Sequence, residues 1–298
     1  MISILVPTYN YNILSLVTDL HQQAIESNVR FEIIVMEDGS TKYLKENNAI
    51  TEIGFCRHIV LKENIGRSAV RNKLADSAKY DYLLFIDCDA EVFLTHFIGN
   101  YLKCCTEECV VIGGTAYDPC ENDPRYSLRL AYGRQREARS AVERSKENIY
   151  HNFATFNFMI AATLFHKVRF DERIRGYGHE DTLFGHQLHE LGCRLIQIEN
   201  PLIHKGLDDN ETFINKTEEG VRNLYLLYIT ESYPFLVEES KLLNSFVLIY
   251  KSGLTRLFSF AFSILKPFLH ARLLTPSPSL RIYDIYKLLF LFETSRSK

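Results

Sequence analysis

Short apolar runs recur through the first two hundred residues, and each is closed by a polar or glycine-containing segment. Residues 2–6, 31–36, 57–61, 80–86 and 109–114 are short and nearly uniform in apolar character, the pattern of strands buried on both faces. Helix-length segments separate them, and between the third and fourth runs Ala69, Leu74 and Ala78 suggest a helix. The order β-α-β-α-β predicts an α/β protein with a parallel sheet and helices on both faces. In such a sheet ligands bind beyond the carboxyl ends of the strands. The polar segments 7–10, 37–40 and 87–89 all follow strand runs, so one sheet edge collects them.

Further along, residues 125–148 are charge-dense and predict a mobile loop or exposed helix bordering that edge. Residues 153–165 return to core-like composition, 193–198 read as another strand, and beyond about 207 the chain reads as helical to its end. In the segment GYGHEDTLFGHQL (176–188), Glu180 and Asp181 open a helical pattern. Phe184, Leu188 and Leu191 give that helix a stripe expected to be buried.

With 298 residues, 46% hydrophobic and 24% charged, the chain suits one or two globular domains. A net charge of −3 argues against a surface built for nucleic acid. Seven cysteines without paired CxxC knuckles argue against structural zinc and for a reduced chain. The first residues lack the basic start of a signal peptide, and no uninterrupted apolar run approaches about 20 residues, the length of a membrane span. The expected location is cytoplasmic, with a peripheral position on the cytoplasmic face of a membrane as a further option.

Candidate chemistry sits after the strands. In FIDCDAEV (85–92), strand alternation would turn Asp87 and Asp89 to one side and Cys88 to the other. Two adjacent carboxylates repel unless a cation or proton intervenes, and oxygen ligands suit Mg²⁺ or Mn²⁺. The plainer reading is a solvated turn. His204, after the late strand, would add a nitrogen ligand and tilt the choice towards Mn²⁺, or else serve as a hydrogen-bonded loop residue. Asp38, with Gly39 permitting a tight turn, would accept hydrogen bonds from a base or ribose, or cap a turn. Arg67 and Arg71 in NIGRSAVRN (64–72) share a helical face suited to a diphosphate or simply to solvent.

Together VPTYN, EDGS, NIGRSAVRN, FIDCDAEV, FDE (170–172) and GYGHED resemble, in order and spacing, the family 2 glycosyltransferases over roughly residues 1–207. The resemblance implies a GT-A fold: a Rossmann-like, mostly parallel central sheet flanked by helices, here with a helical C-terminal extension. It implies a catalytic domain over 1–207, with a nucleotide-sugar half at about 1–114 and an acceptor half at about 115–207, followed by 208–298. Pro7, Tyr9, Asn10 and Asp38 would hold the nucleotide, usually uridine, with Arg71 near it. Asp87 would contact the sugar nucleotide, and Asp89 and His204 would hold Mn²⁺ or Mg²⁺. Two departures stand out: Glu37–Asp38 where the family more often has two aspartates, and Gln187 where it more often has arginine.

Moving a sugar from a nucleotide diphosphate needs a cation to stabilise the departing charge and a base for the incoming hydroxyl. Asp181 is the candidate base. The helix start favours its charged form and nearby phosphates oppose it. Glu180 would bind a sugar hydroxyl beside the reaction, Tyr177 would pack on a sugar face, and Gly178 would let backbone approach the acceptor. The implied activity is inverting transfer from a nucleotide sugar, UDP-linked by preference, to a glycan or lipid-linked glycan. Alternatives are a metal-dependent nucleotide or phosphodiester hydrolase or nucleotidyltransferase, and a non-catalytic glycan- or nucleotide-binding subunit. From 241 to 298 basic residues interleave with Phe, Tyr and Leu, which suits helices on an anionic membrane or packed on the protein.

Overall fold

The computed structural model describes residues 1–105, 109–146, 150, 153–174, 176–230 and 233–296. Its strands are β1 (Ile2–Thr8), β2 (Phe31–Glu37), β3 (Cys56–Val60), β4 (Tyr82–Ile86), β5 (Ala90–Glu91), β6 (Cys109–Ile112), β7 (Thr115–Ala116), β8 (Asn157–Ala161), β9 (Arg194–Gln197) and β10 (Leu202–His204). The helices of the first half are α1 (Leu14–Glu26), α2 (Leu44–Asn47), α3 (Arg67–Ser77), α4 (Phe97–Leu102), α5 (Ser127–Tyr132) and α6 (Ala141–Ser145). Those of the second half are α7 (Ala162–Val168), α8 (Glu180–Glu190), α9 (Asn210–Ile229), α10 (Leu236–Glu239), α11 (Lys241–Lys251), α12 (Thr255–Leu273) and α13 (Leu280–Arg296).

Two compact units are present. One comprises residues 1–118, 137–175 and 180–206; the other comprises 119–136, 176–179 and 207–298. Segments 119–136 and 176–179 thus belong to the second unit.

The first unit is built on a seven-stranded sheet in the order β3-β2-β1-β4-β8-β6-β9. Parallel pairing joins β3, β2, β1 and β4, whereas β8 runs antiparallel between β4 and β6. The alternation of each strand feeds two cores. Ile2, Ile4 and Val6 pack with Leu16, Leu20 and Phe97 on one face, while Leu5 and Phe85 pack with Val70, Phe165 and Phe184 on the other. Covering both faces explains why the strands read as continuous apolar runs. Successive strands step from β1 to β3 on one side and then to β4 on the other, so the sheet's switch point lies between β1 and β4. Open α/β sheets bind ligands beyond the carboxyl ends of the strands at such a point. A second sheet, β5-β10-β7, follows the end of β4.

Several expectations change. Residues 125–146 are not a free loop: Leu128, Arg129 and Leu130 are buried in helix α5, because that turn packs within the second unit through Asn210. Positions 147–148 lie outside the described residues. Leu191 is 52% exposed because α8 ends at Glu190, leaving Leu183, Phe184 and Leu188 as its buried stripe. Ala78 is likewise beyond α3, which buries Leu74 as expected, with Val70 and Ala75 beside it.

The second unit is helical. α12 and α13 pack through Phe262 on Tyr286 (ring centroids 5.4 Å apart), and α11 joins them through Phe246 on Phe292 (4.8 Å). Asp209 caps α9, its Oδ1 accepting from the Thr212 N–H at 2.9 Å. Among the described residues, no helix is long and apolar enough to cross a membrane.

Candidate active site

The site grows from three loops at the carboxyl edge of the parallel strands. After β1, Asn10 adopts a left-handed conformation (φ 52°) and uses its side chain as a loop clamp. Its Oδ1 accepts from the N–H groups of Thr41 (2.8 Å) and Lys42 (2.9 Å), and its own N–H donates to Ser40 Oγ. Pro7 is half-buried at the end of β1, and the Tyr9 ring is exposed.

After β2, both carboxylate oxygens of Asp38 are engaged by backbone: Ile65 N–H at 2.7 Å and Gly66 N–H at 3.1 Å. Burial raises its pKa above the usual aspartate range, against the lowering effect of those two bonds. Asp38 thereby fixes the start of α3. Gly39 is needed for the same join, since a Cβ there would sit 2.4 Å from the Asn64 nitrogen and its φ is +70°.

Glu37 has a role the sequence did not disclose. It is fully buried; Oε1 accepts from Asn47 Nδ2 at 2.7 Å and lies 3.3 Å from His58 Nε2, while Oε2 accepts from Ser40 Oγ at 2.5 Å. Asn47 in turn binds the Ile13 N–H and the Tyr11 carbonyl. The extra methylene of glutamate over aspartate carries the carboxylate to this network, which ties the β1–α1 loop to the β2–α2 loop. The signal available was the departure from two aspartates.

After β4 the alternation expected for Asp87 and Asp89 does not apply, because the strand ends at Ile86 and residues 87–89 form a turn. The Ala90 N–H donates to the Asp87 carbonyl at 3.2 Å. The two acids are nonetheless close enough for Asp89 to raise the pKa of Asp87; burial is the larger cause of that rise, and Arg71 opposes it. Cys88 packs against the core, where burial pushes its thiol pKa up.

Arg71 is buried, donates from Nη2 to Asp87 Oδ1 at 2.7 Å, and sets its guanidinium 5.6 Å from the Phe170 ring centroid. One turn earlier on α3, Arg67 Nη1 lies 3.6 Å from Glu180 Oε1. Asp181, next along α8, is half-buried. Its pKa is pushed up to about 7, first by burial and then by the Glu180 carboxylate, with Arg71 and Arg67 pulling the other way. Burial therefore decides what the sequence left open. Three buried polar atoms in this cluster have no hydrogen-bond partner among the described residues: Ser68 Oγ, Arg71 Nε and Glu180 Oε2. Buried polar atoms of that kind ordinarily find a partner.

His204 reaches Asp89 by strand register. β10 pairs antiparallel with β5 and sets His204 opposite Ala90, leaving His204 Nε2 3.4 Å from Asp89 Oδ2. The imidazole is flanked by Tyr117 and Phe156, with ring centroids 5.7 and 5.4 Å away. Gly206 lies against the acid: a Cβ there would be 2.1 Å from Asp89 Oδ2. Sequence reading passed over Gly206, which carries no chemistry of its own. One carboxylate and one imidazole suit Mn²⁺ or a similar divalent ion whose other positions go to ligand oxygens. Among the described residues no cluster of three or more protein ligands forms.

The loop preceding α8 is part of the second unit. Gly176 and Gly178 have φ of +92° and +93°, and a Cβ on Gly176 would meet Glu219 of α9 at 2.8 Å. Tyr177 donates its N–H to Glu219 Oε1 (2.9 Å), and its carbonyl accepts from Asn223 Nδ2 (2.9 Å). Close approach to α9 thus accounts for Gly176, and the left-handed backbone for both glycines.

This mixed sheet with its loops and helical extension is a GT-A-type fold. The model of the glycosyl transferase family 2 matches residues 3–169, and the chain belongs to that family. It is 23% identical over 269 residues to the chondroitin synthase of Pasteurella multocida (strain Pm70), covering 79% of this chain and 28% of that protein. An uncharacterized glycosyltransferase of Rickettsia conorii is 29% identical over 125 residues, 42% of this chain and 20% of that protein. The chain thus spans less than a third of the length of either relative. Among solved structures, the mannosyltransferase PcManGT from Pyrobaculum calidifontis, in complex with GDP-Man and Mn²⁺, superposes with a TM-score of 0.62. It is 15% identical, with 100% of this chain and 86% of that chain covered. TarS residues 1–349 of S. aureus superpose with a TM-score of 0.50 at 18% identity, covering 99% of this chain and 91% of that chain. At these identities the likeness concerns fold. The matched segment holds Asp38, Arg71, Asp87 and Asp89 but ends before Glu180, Asp181 and His204, whose grouping rests on the geometry above.

Proposed function

We propose that the chain transfers a sugar from a nucleotide diphosphate sugar, UDP-linked by preference, to a hydroxyl of a glycan or lipid-linked glycan, with inversion. The observation that carries this reading is the arginine pair on α3. Arg71 holds Asp87 after β4, Arg67 reaches Glu180 on α8, and both act electrostatically on Asp181. A cationic helix face between the two acidic segments suits a departing diphosphate beside a base.

Pro7, Tyr9, Asn10 and Asp38 border the nucleotide, Asn10 and Asp38 mainly by fixing the loops on which it rests. Arg67, Arg71 and Asp87 face the diphosphate and sugar. Asp89 and His204 would hold the divalent ion, Mn²⁺ or Mg²⁺, which when bound supplies positive charge to the diphosphate. Asp181 takes the acceptor proton while the acceptor oxygen bonds to the anomeric carbon. The bond from that carbon to the diphosphate breaks, and its electron pair leaves with the diphosphate. Glu180, Tyr177 and Gly178 are assigned to the acceptor side.

The test is thermal stabilisation by UDP, GDP, CMP and their sugar conjugates, each with Mn²⁺ and with EDTA, on the wild type and Asp89→Ala. One nucleotide class at a hundredfold over its Kd should stabilise the wild type by roughly 2.7 kcal/mol, in the presence of the metal only. Asp89→Ala should lose that shift. Absence of any shift, or release of phosphate or nucleoside monophosphate in place of sugar transfer, would remove this assignment.

A further inference from the structure

The second unit carries an apolar face that the proposed transfer chemistry does not use. Along α12, Leu257, Phe260, Ile264 and Phe268 recur at three- and four-residue spacing and so form one stripe. They are 59%, 61%, 59% and 57% exposed, whereas Phe262, Leu269 and Leu273 on the opposite side of the helix are buried. Leu248 and Tyr250 at the end of α11 and Leu254 in the following turn are also exposed. A stripe of large apolar side chains left in water on one helix marks an interaction surface.

Charge selects its partner. Residues 241–283 contain Lys241, Lys251, Arg256, Lys266, Arg272 and Arg281 and no Asp or Glu. Lys266 turns inward to Glu218 at 3.3 Å. Lys251, Arg256 and Arg272 are exposed and form no ion pair among the described residues, and Arg272 lies 5.4 Å from the Phe268 ring centroid. We propose that α12 seats on an anionic lipid bilayer, with its apolar stripe at the boundary of headgroups and acyl chains and these three cations against lipid phosphates. The helix lies flat and does not span, since its 19 residues include Arg256, Lys266, Pro267 and Arg272. A second copy meeting the same stripe would bring basic residues against basic residues with no acid in the segment to pair them, which disfavours self-association there. The proposal stands independently of the transferase reading.

The test is co-sedimentation of the full chain with vesicles of phosphatidylcholine, with and without phosphatidylglycerol, at low and high salt. The wild type should bind the phosphatidylglycerol vesicles and release as salt rises. Phe260→Ser with Phe268→Ser should weaken partitioning roughly tenfold or more, and Arg256→Gln with Arg272→Gln should weaken the preference for phosphatidylglycerol, leaving the part that Lys251 supplies. Both double variants should melt with the wild type, because the altered side chains are exposed. The proposal is overturned if the wild type stays in the supernatant, or if both variants bind as it does. It is equally overturned if light scattering shows a dimer that Phe260→Ser with Phe268→Ser dissolves while no vesicle binding occurs.

Discussion

At the scale of single residues, Asp181 shows how position sets chemistry. A free aspartate titrates near ~3.9, and the helix start that Asp181 occupies would lower that value further. Burial and the adjacent Glu180 carboxylate instead raise it to about 7. The folded chain therefore holds a proton that the unfolded chain has released between the two values. Stability tied to this group is fully present below about pH 4 and is lost as pH rises through about 7. Asp181→Asn should accordingly raise the melting temperature at pH 8 and bring no gain at pH 4, while lowering the transfer rate by roughly 10²–10⁴-fold, the usual worth of a positioned base. Wild-type kcat/KM, which reports ionisation in the free enzyme, should climb with pH through about 7. A flat rate profile together with an unchanged melting temperature in the variant would remove Asp181 from the base role. Glu37 carries the complementary lesson: its identity was visible in the chain, but its partners Ser40, Asn47 and His58 come from different elements, and no local pattern announces them.

Elements decide which acids become useful. Asp89 and His204 are far apart in sequence, and the antiparallel pairing of β5 with β10 brings them to 3.4 Å. These strands are two and three residues long, too short for hydrophobic periodicity to register. Gly206 completes the arrangement by leaving room for the Asp89 carboxylate. Its backbone lies outside the left-handed region that only glycine favours, so Gly206→Ala should be tolerated by the chain and act through the clash with Asp89 alone. We expect a cost of about 1–3 kcal/mol in stability from overpacking and a loss of the metal-dependent donor shift approaching that of Asp89→Ala. Urea denaturation and the thermal-shift panel measure the two separately; an alanine variant with intact donor binding would show that the close approach of Gly206 does not position Asp89. The strand β8 escaped notice for another reason: it reads as core-like sequence, and only the sheet reveals that it runs antiparallel between β4 and β6.

For the molecule as a whole, stability and site occupancy should separate. The seven-stranded sheet is held by two apolar cores, and the Asp89–His204 pair is placed by backbone pairing, so the sheet should keep its structure without a cation. Treatment with EDTA should leave the far-ultraviolet circular dichroism unchanged and move the melting temperature by no more than about 2–4 °C, the equivalent of 1 kcal/mol in a chain of this size. Unfolding on chelation would contradict that. Charge is likewise distributed, not averaged: a chain of net charge −3 ends in a segment from 241 to 283 that has six Lys and Arg residues and no acid. By itself the sequence determined the early strands, the parallel order of the first four, the edge on which the polar loops gather, and the helical character of the last ninety residues. Those follow from local periodicity and from the rule that apolar faces must be covered. Only the tertiary structure decided that Asp38 and Asn10 spend their side chains on backbone, that Glu37 anchors two loops, that Asp181 is raised and not lowered, and that Leu191 is exposed while Arg129 is buried. Each of those outcomes depends on which distant group removes water from a side chain, and a chain read in one dimension does not contain that distance.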